Sequence, residues 1–167
     1  VINIAGFNGL ADKVTITLTN LSHTHVADIQ MLLVGPQGQS VLLMSDVGLF
    51  GGVTNAIIKF DDDATNSLPQ LGGVVSGTYK PTDYPPTVGF YPPAPAGPYG
   101  SSLSVFRGTD PNGDWKLFIL DDQGNDVGSL AGGWRITFES PPIAPPLPGL
   151  AMRPLGNSLV FTWPLDR

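Results

Sequence analysis

The alternation of apolar and polar positions along the chain predicts a succession of short β-strands. Residues 13–19, KVTITLT, place Val14, Ile16 and Leu18 on one face and three threonines on the other. This period of two residues is typical of a strand with one buried face, and residues 134–139, WRITFE, repeat it. No long segment has the period of 3.6 residues that marks an amphipathic helix, so the chain is predicted to be all-β.

Further apolar runs extend this prediction. Residues 28–34 and 40–44 flank the sequence Gly-Pro-Gln-Gly at residues 35–38, which is typical of a hairpin turn. A strand beginning at Trp115 is followed by an acidic, glycine-rich loop at residues 121–133 and then by the strand that begins at Trp134. Short apolar runs at residues 57–60 and 103–106 are also predicted to be strands.

A proline-rich segment separates these strands. Residues 69–101 contain eight prolines, which exclude a helix and favour extended backbone. Two interpretations remain open: the segment is a recognition surface, or its aromatic rings cover the sandwich. The rings in question are those of Tyr79, Tyr84, Phe90, Tyr91 and Tyr99.

Composition narrows the class of protein. The chain has 167 residues, 21 glycines, 17 prolines, only 13% charged residues and no cysteine, which suits one turn-rich β domain without disulfides or thiolate metal sites. A net charge of −6 argues against a nucleic-acid partner. No apolar run is long enough to span a membrane, so membrane insertion is not expected.

The acidic residues suggest a metal. All but one of the 14 acidic residues are aspartates, and clustered aspartates repel one another unless they are solvated or bound to a cation. Two interpretations stay open: solvated turns, or structural calcium bound by loop carboxylates. The candidate calcium ligands are Asp28, Asp46, Asp61, Asp62, Asp63, Asp121, Asp122 and Asp126.

The two histidines, His23 and His25, are two positions apart. On a strand their side chains would point to opposite faces, and no third nitrogen or thiolate ligand is present to complete a zinc site. A structural role is therefore expected for both.

A series of short motifs runs in a fixed order through the chain. They are His23-Thr24, Asp28-Ile29, Pro36-x-Gly38, Ser45-Asp46-Val47-Gly48, Asp61-Asp62-Asp63-Ala64, Asp110-Pro111-Asn112-Gly113-Asp114-Trp115 and Gly133-Trp134. In this order they resemble the P-domain of proprotein convertases, also called the P/Homo B domain, in the form found in bacterial surface proteins. The resemblance covers residues 10–139. It implies a jelly-roll β-sandwich of about eight strands, similar in shape to galactose-binding domains.

The resemblance also implies a function. P-domains of convertases stabilise a neighbouring subtilisin-like catalytic domain, whereas bacterial surface proteins carry them without a protease. This chain has no Gly-Thr-Ser or Gly-x-Ser-x-Gly nucleophile motif and is too short to hold a protease domain as well. We therefore expect a non-enzymatic module, extracellular or at the cell surface, that stabilises or presents neighbouring domains of the same polypeptide.

Two other functions stay open: the regulatory P-domain of a subtilisin-like protease, and an adhesion module that binds a protein or glycan ligand. The predicted domain organisation is a β-sandwich over residues 1–140 and a proline-rich linker over residues 141–149. A strand-like tail over residues 150–167 is the possible start of an immunoglobulin-like or fibronectin-like module.

Overall fold

The computed structural model describes residues 1–86, 89–140, 151–155 and 158–162. The predicted linker at residues 141–149 lies outside the described residues. Within the described part there are strands and two short 3-10 helices but no α-helix, which confirms the all-β prediction. The strands are β1 (Ile2–Ile4), β2 (Lys13–His23), β3 (Ile29–Val34), β4 (Ser40–Ser45), β5 (Val53–Phe60), β6 (Gly77–Tyr79), β7 (Thr82–Asp83), β8 (Gly113–Asp121), β9 (Gly128–Leu130), β10 (Trp134–Glu139), β11 (Ala151–Leu155) and β12 (Ser158–Thr162).

Ten of these strands form two five-stranded sheets that pack together as a sandwich. The first sheet has the order β1-β8-β3-β4-β7, and the second has the order β10-β2-β5-β6, with β9 also paired to β2. Both sheets are mixed, because β4 runs parallel to β7 and β5 runs parallel to β6. The expectation of about eight strands is slightly low, because β6, β7 and β9 are two- or three-residue strands in glycine- and proline-rich segments.

The core between the sheets follows from the alternation in the sequence. Val14, Ile16 and Leu18 of β2 are all buried, as their spacing predicts. Opposite them, Trp115 of β8 packs edge-on against Phe106 with ring centroids 4.7 Å apart. Each such apolar side chain contributes about 1.5–3 kcal/mol when it is removed from water, so this core is the main source of stability.

The proline-rich segment covers the outer face of the first sheet. Leu32 and Leu42 point away from the main core into a second apolar cluster, against which Phe90 and Tyr99 pack. Because strand β3 is buried on both faces, its sequence is almost continuously apolar.

The aromatic residues of this segment pack mainly on the protein itself. Tyr79 and Tyr84 lie against the main core, and Phe90 and Tyr99 contact each other edge-on at 5.9 Å. Tyr91 is the exception, with 74% of its surface exposed. The arrangement fits the interpretation in which the rings cover the sandwich.

The prediction of a strand at residues 103–106 is wrong. Leu103–Phe106 forms a short 3-10 helix. Asp62 accounts for the difference, because its carboxylate accepts hydrogen bonds from the backbone amides of Leu103 at 3.0 Å and Ser104 at 2.8 Å. Acceptors placed at the start of a helical turn satisfy amides that have no partner inside the helix.

The tail contains the expected strands. β11 and β12 pair antiparallel with each other, with Ala151 opposite Thr162 and Leu155 opposite Ser158. They form a two-stranded sheet of their own. The assignment of this tail to a following module stays a prediction.

Candidate cation site

Three strand ends meet at one end of the first sheet. Strand β3 begins there and β4 and β8 end there, because β3 runs antiparallel to both. Asp28 precedes β3, Asp46 follows β4 and Asp122 follows β8. The backbone amide of Asp122 donates to the carbonyl oxygen of Asp28 at 3.0 Å. The topology therefore brings together aspartates that are far apart in the sequence.

A histidine joins these aspartates. His25 immediately precedes the 3-10 turn Val26–Asp28 and adopts extended backbone. Its ring reaches the last residue of that turn, Asp28. Its Nδ1 atom lies 2.7 Å from Asp28 Oδ1. Ligand atoms of His25, Asp28 and Asp126 lie within 4.8 Å of one another, and this cluster could hold a metal ion.

Asp126 is positioned by the acidic loop that follows β8. The hydroxyl of Thr24 donates to Asp126 Oδ1 at 2.7 Å, and the backbone amides of Thr24 and Val127 complete the attachment of the loop to the end of β2. Asn125 adopts a left-handed conformation with φ 77°, which asparagine tolerates better than most residues. The loop is thus held so that Asp126 faces Asp28 and His25.

Asp46 is partly buried among the carboxylates of this region. Burial raises the pKa of Asp46 above its ordinary value of 3.8, and the charges of Asp122, Asp83 and Asp28 raise it further. The hydroxyl of Ser45 donates to Asp46 Oδ2 at 2.8 Å and acts in the opposite direction. Like charges held this close disfavour ionisation unless a cation neutralises them.

A buried amide completes the group. The side chain of Gln30, in the centre of the first sheet, is fully buried, and its Nε2 donates to Asp122 Oδ2 at 2.9 Å. Its Oε1 has no hydrogen-bond partner among the described residues. A buried acceptor without a donor costs about 1–3 kcal/mol. We use the term acidic end for Gln30, His25, Asp28, Asp46, Asp122 and Asp126 together.

In the described part of the chain, no lysine or arginine pairs with the acidic end. Among the described residues, lysine and arginine form ion pairs with Asp12, Asp61 and Asp63 and with no carboxylate of the acidic end. His25 is its only basic partner there. Several carboxylates without a compensating charge are the arrangement expected of an oxygen-rich cation site.

His23 and Asp121 form a separate pair beside the acidic end. His23 is buried, with its Nε2 atom 3.2 Å from Asp121 Oδ2 and its Nδ1 atom 2.8 Å from the carbonyl oxygen of His25. Both ring nitrogens therefore have protein partners. This geometry agrees with the structural role expected for His23, whereas His25 contacts the candidate metal ligands.

The run of three aspartates, residues 61–63, lies at the end of the second sheet where β2 begins and β5 ends. This is the end of the sandwich opposite to the acidic end. Asp61 accepts from Lys13 at 2.8 Å and from Lys59 at 3.2 Å, and Asp63 pairs with Lys13 at 2.6 Å. Asp62 is occupied by the amides of the 3-10 helix. All three carboxylates have partners in the protein, and calcium binding by this run stays a prediction.

The pKa shift of Asp61 in this aspartate run is opposite in direction to that of Asp46 at the acidic end. Burial by itself would raise the pKa of Asp61, but hydrogen bonds from Lys13, from the backbone amide of Asp63 and from Lys59 outweigh it and hold the pKa below 3.8. Hydrogen bonds to the carboxylates of Asp61 and Asp63 raise the pKa of Lys13. The run is therefore stabilised as an ion-pair network without any added cation.

The structure places some of the predicted calcium ligands near one another. Asp28, Asp46, Asp122 and Asp126 lie at the acidic end, whereas the other four do not, and calcium binding by any of them stays a prediction. The sequence prediction did not include His25, whose spacing of three residues from Asp28 was the available signal. It also missed Gln30, which appears in the sequence only as one polar residue inside an apolar run.

The fold and the site together define an all-β sandwich with an acidic, oxygen-rich cluster at one end. Comparison with protein-family models, with curated proteins and with solved structures found no match to the chain. Within the described residues, no helix is long and apolar enough to cross a membrane.

Proposed function

We propose that the chain is a non-catalytic, P-domain-like module with jelly-roll topology from a larger secreted or surface protein. It stabilises or presents neighbouring domains of the same polypeptide and binds structural calcium at its acidic end. The observation that carries the calcium part of this proposal is that Asp28, Asp46 and Asp122 adjoin three strand ends at one end of the first sheet, with Asp126 close to Asp28. None of these carboxylates has a lysine or arginine partner among the described residues.

Calcium suits this arrangement on chemical grounds. It takes six to eight oxygen ligands from carboxylates, carbonyls and water. A cation at the acidic end would neutralise the mutual repulsion of the aspartates and would fasten the ends of β3, β4 and β8 to one another. Because the unfolded chain lacks the site, binding would stabilise the native state by about 2.7 kcal/mol at a free calcium concentration a hundred times Kd.

The contacts of the histidines differ from those of the catalytic histidine of a serine protease. Nucleophilic catalysis of the serine-protease type needs a histidine in contact with a hydroxyl and with a carboxylate. His23 and His25 bind carboxylates and a backbone carbonyl, and neither shares a hydrogen bond with a serine or threonine hydroxyl in the described structure. An adhesion function gains no support, since four of the five aromatic rings in question pack on the core.

Thermal unfolding of the full chain tests the proposal. We expect the midpoint measured in excess EGTA to rise by several degrees in millimolar CaCl₂, because only the native state binds the ion. MgCl₂ at equal ionic strength controls for screening. Asp122→Asn should reduce the shift, and Asp114→Asn, an exposed carboxylate paired with neutral Asn3, should preserve it. Equal midpoints in EGTA and CaCl₂ would contradict the proposal.

A further inference from the structure

Gln30 is the one buried side chain with an unpartnered polar atom among the described residues. It lies on β3 between Ile29 and Met31, which point into the main core. Because side chains alternate along a strand, Gln30 points to the outer face of the first sheet, together with Leu32. A neutral amide at the centre of a sheet with an empty acceptor calls for a partner that the described protein atoms do not supply.

The orientation of this amide is fixed by its neighbour. Gln30 Nε2 donates to Asp122 Oδ2 at 2.9 Å. An ionised carboxylate only accepts hydrogen bonds, so the reversed amide would set two acceptors against each other. The Oε1 atom shares its carbon with Nε2, so it lies near Asp122 on the other arm of the same planar amide.

The surroundings of Oε1 are negative. Asp122 binds the amide directly and its backbone is joined to Asp28. Asp46 follows β4, which pairs with β3, the strand that carries Gln30. A protein donor in this place would satisfy Oε1 but would leave the repulsion among the carboxylates. A cation satisfies both at once, because carboxylate and amide oxygens are the ligands of hard divalent ions.

We propose that Gln30 Oε1, Asp46 and Asp122 hold a calcium ion in an oxygen-only position of the acidic end, separate from the cluster of His25, Asp28 and Asp126. The inference rests on the proposed calcium function and names the residues that carry it. Asp28 lies between the two positions, with its Oδ1 atom bound by His25 and its carbonyl oxygen bound by Asp122.

The ligand chemistry separates the two positions. Imidazole suits zinc and other transition metals, whereas carboxylates, amide carbonyls and water suit calcium. His25 Nδ1 also lies within hydrogen-bonding distance of Asp28 Oδ1 at 2.7 Å. Calcium therefore prefers the Gln30 position, where every ligand is oxygen.

The decisive variant is Gln30→Met, which keeps the size of the side chain and removes the oxygen. We expect calcium affinity, measured by titration calorimetry with CaCl₂ alone, to fall at least about tenfold, because removing groups that merely orient metal ligands already costs about 10–100-fold. Its unfolding midpoint in EGTA should stay close to that of the wild type, because the unsatisfied Oε1 and the hydrogen bond from Nε2 to Asp122 are removed together. The matched control is Gln37→Met in the exposed β3–β4 turn, which should bind as the wild type does.

Asp126→Asn distinguishes the two positions. It removes one carboxylate from the His25 cluster and should leave calcium affinity within about threefold of the wild type, a difference of about 0.7 kcal/mol. Loss of binding in Asp126→Asn together with unchanged binding in Gln30→Met would place the ion at His25 and overturn the inference. Unchanged binding in Gln30→Met would by itself overturn it while the proposed function stood, and no binding by the wild type would overturn both.

Gln30→Glu keeps the experiment decisive if Gln30→Met does not fold. It retains an oxygen ligand, adds a negative charge and loses the hydrogen bond to Asp122. We expect a lower midpoint in EGTA and a larger rise in CaCl₂ than in the wild type, because ligand charge strengthens calcium binding. A rise no larger than that of the wild type would contradict the assignment of Gln30 as a ligand.

Discussion

Lys13 Nζ lies 2.8 Å from Asp61 Oδ1 and thereby joins the first residue of β2 to the residue that follows β5. The Asp61 carboxylate is almost fully buried, and Lys59 contacts its second oxygen at 3.2 Å. The pair therefore closes the edge of the core at the end of the sandwich opposite to the acidic end.

This pair gives stability a defined pH dependence. The pKa of Asp61 is lower in the folded protein than its ordinary value of 3.8. A lowered carboxyl pKa contributes stability that is fully present above about pH 4 and is lost as the pH falls through the folded pKa. Asp61→Asn should therefore lower the free energy of unfolding by roughly 1–3 kcal/mol at neutral pH, and the difference should shrink below pH 4.

Urea unfolding at a series of pH values measures this difference. Asp114→Asn is the control, because Asp114 is exposed and its side-chain partner is the neutral Asn3. A constant difference between the wild type and Asp61→Asn down to pH 2 would show that ionisation of Asp61 is not the cause.

Asp62 and Asp63 are adjacent but should respond very differently to substitution. Asp62→Ala removes the acceptor for the amide of Leu103 and leaves the amide of Ser104 with only the Ser102 hydroxyl at 3.3 Å among the described residues. It should cost about 1–2 kcal/mol. Asp63→Ala removes only a pair in which Asp63 is 80% exposed, and it should cost less than about 1 kcal/mol. Chemical denaturation in EGTA compares the two, and equal losses would contradict the assigned role of Asp62 as a helix cap.

The same variants test calcium binding by the aspartate run. Because the carboxylates at residues 61–63 already have partners, Asp62→Ala and Asp63→Ala should both retain the full calcium-dependent rise in midpoint. Loss of that rise in either variant would instead assign calcium to this run.

The strands were predictable wherever burial is one-sided and the partner strand is long. In β2, Ile16 and Leu18 point into the core, and the threonines that alternate with them lie on the other face, where Thr17 and Thr19 are partly exposed and Thr15 is buried. The short strands β6, β7 and β9 gave no such signal. They form where a distant strand, such as β5 beside Gly77, supplies hydrogen bonds to an irregular segment.

The site was predictable only as a set of aspartates. Residue type indicated which side chains could bind calcium, but the grouping depends on strand order, which brings Asp28 beside Asp122 and leaves Asp62 at the other end. Gln30 could not be found in this way, since a single glutamine in a strand gives no sign that its oxygen will lack a donor. Only the packed structure, in which Asp122 takes its amide hydrogen, shows this.

Asn112 gives a physical account of one motif of the sequence. Its Oδ1 accepts from the backbone amide of Phe7 and its Nδ2 donates to the Phe7 carbonyl, both at 2.9 Å. This pairing holds the segment after β1 against the turn before β8. Asn112→Ala should therefore cost about 1–2 kcal/mol and should expose the amides near Phe7.

Hydrogen exchange resolved along the chain measures this effect. Protection of the backbone amides against hydrogen exchange should fall over residues 2–10. It should remain unchanged in β3, where the core is intact. Asn66→Ala is the matched control, because Asn66 is exposed and, among the described residues, hydrogen-bonded through its backbone alone. Uniform loss of protection across both sheets would show that Asn112 supports the whole fold instead of this attachment.

Asp46→Asn should have opposite effects with and without calcium. In EGTA the substitution removes one of the like charges near Asp122 and Asp28 while asparagine still tolerates the backbone φ of 52°, so we expect the unfolding midpoint to rise by about 2–4 °C. In CaCl₂ the further rise seen in the wild type should be lost, because a charged ligand is missing.

Asp46→Ala separates the effect of the charge from the effect of the backbone conformation. It removes the same charge, but it also loses the hydrogen bond from Ser45 and strains the left-handed conformation. Its midpoint in EGTA should therefore lie below that of Asp46→Asn. A midpoint for Asp46→Asn below the wild type in EGTA would mean that the ionised Asp46 carboxylate stabilises the protein without a cation.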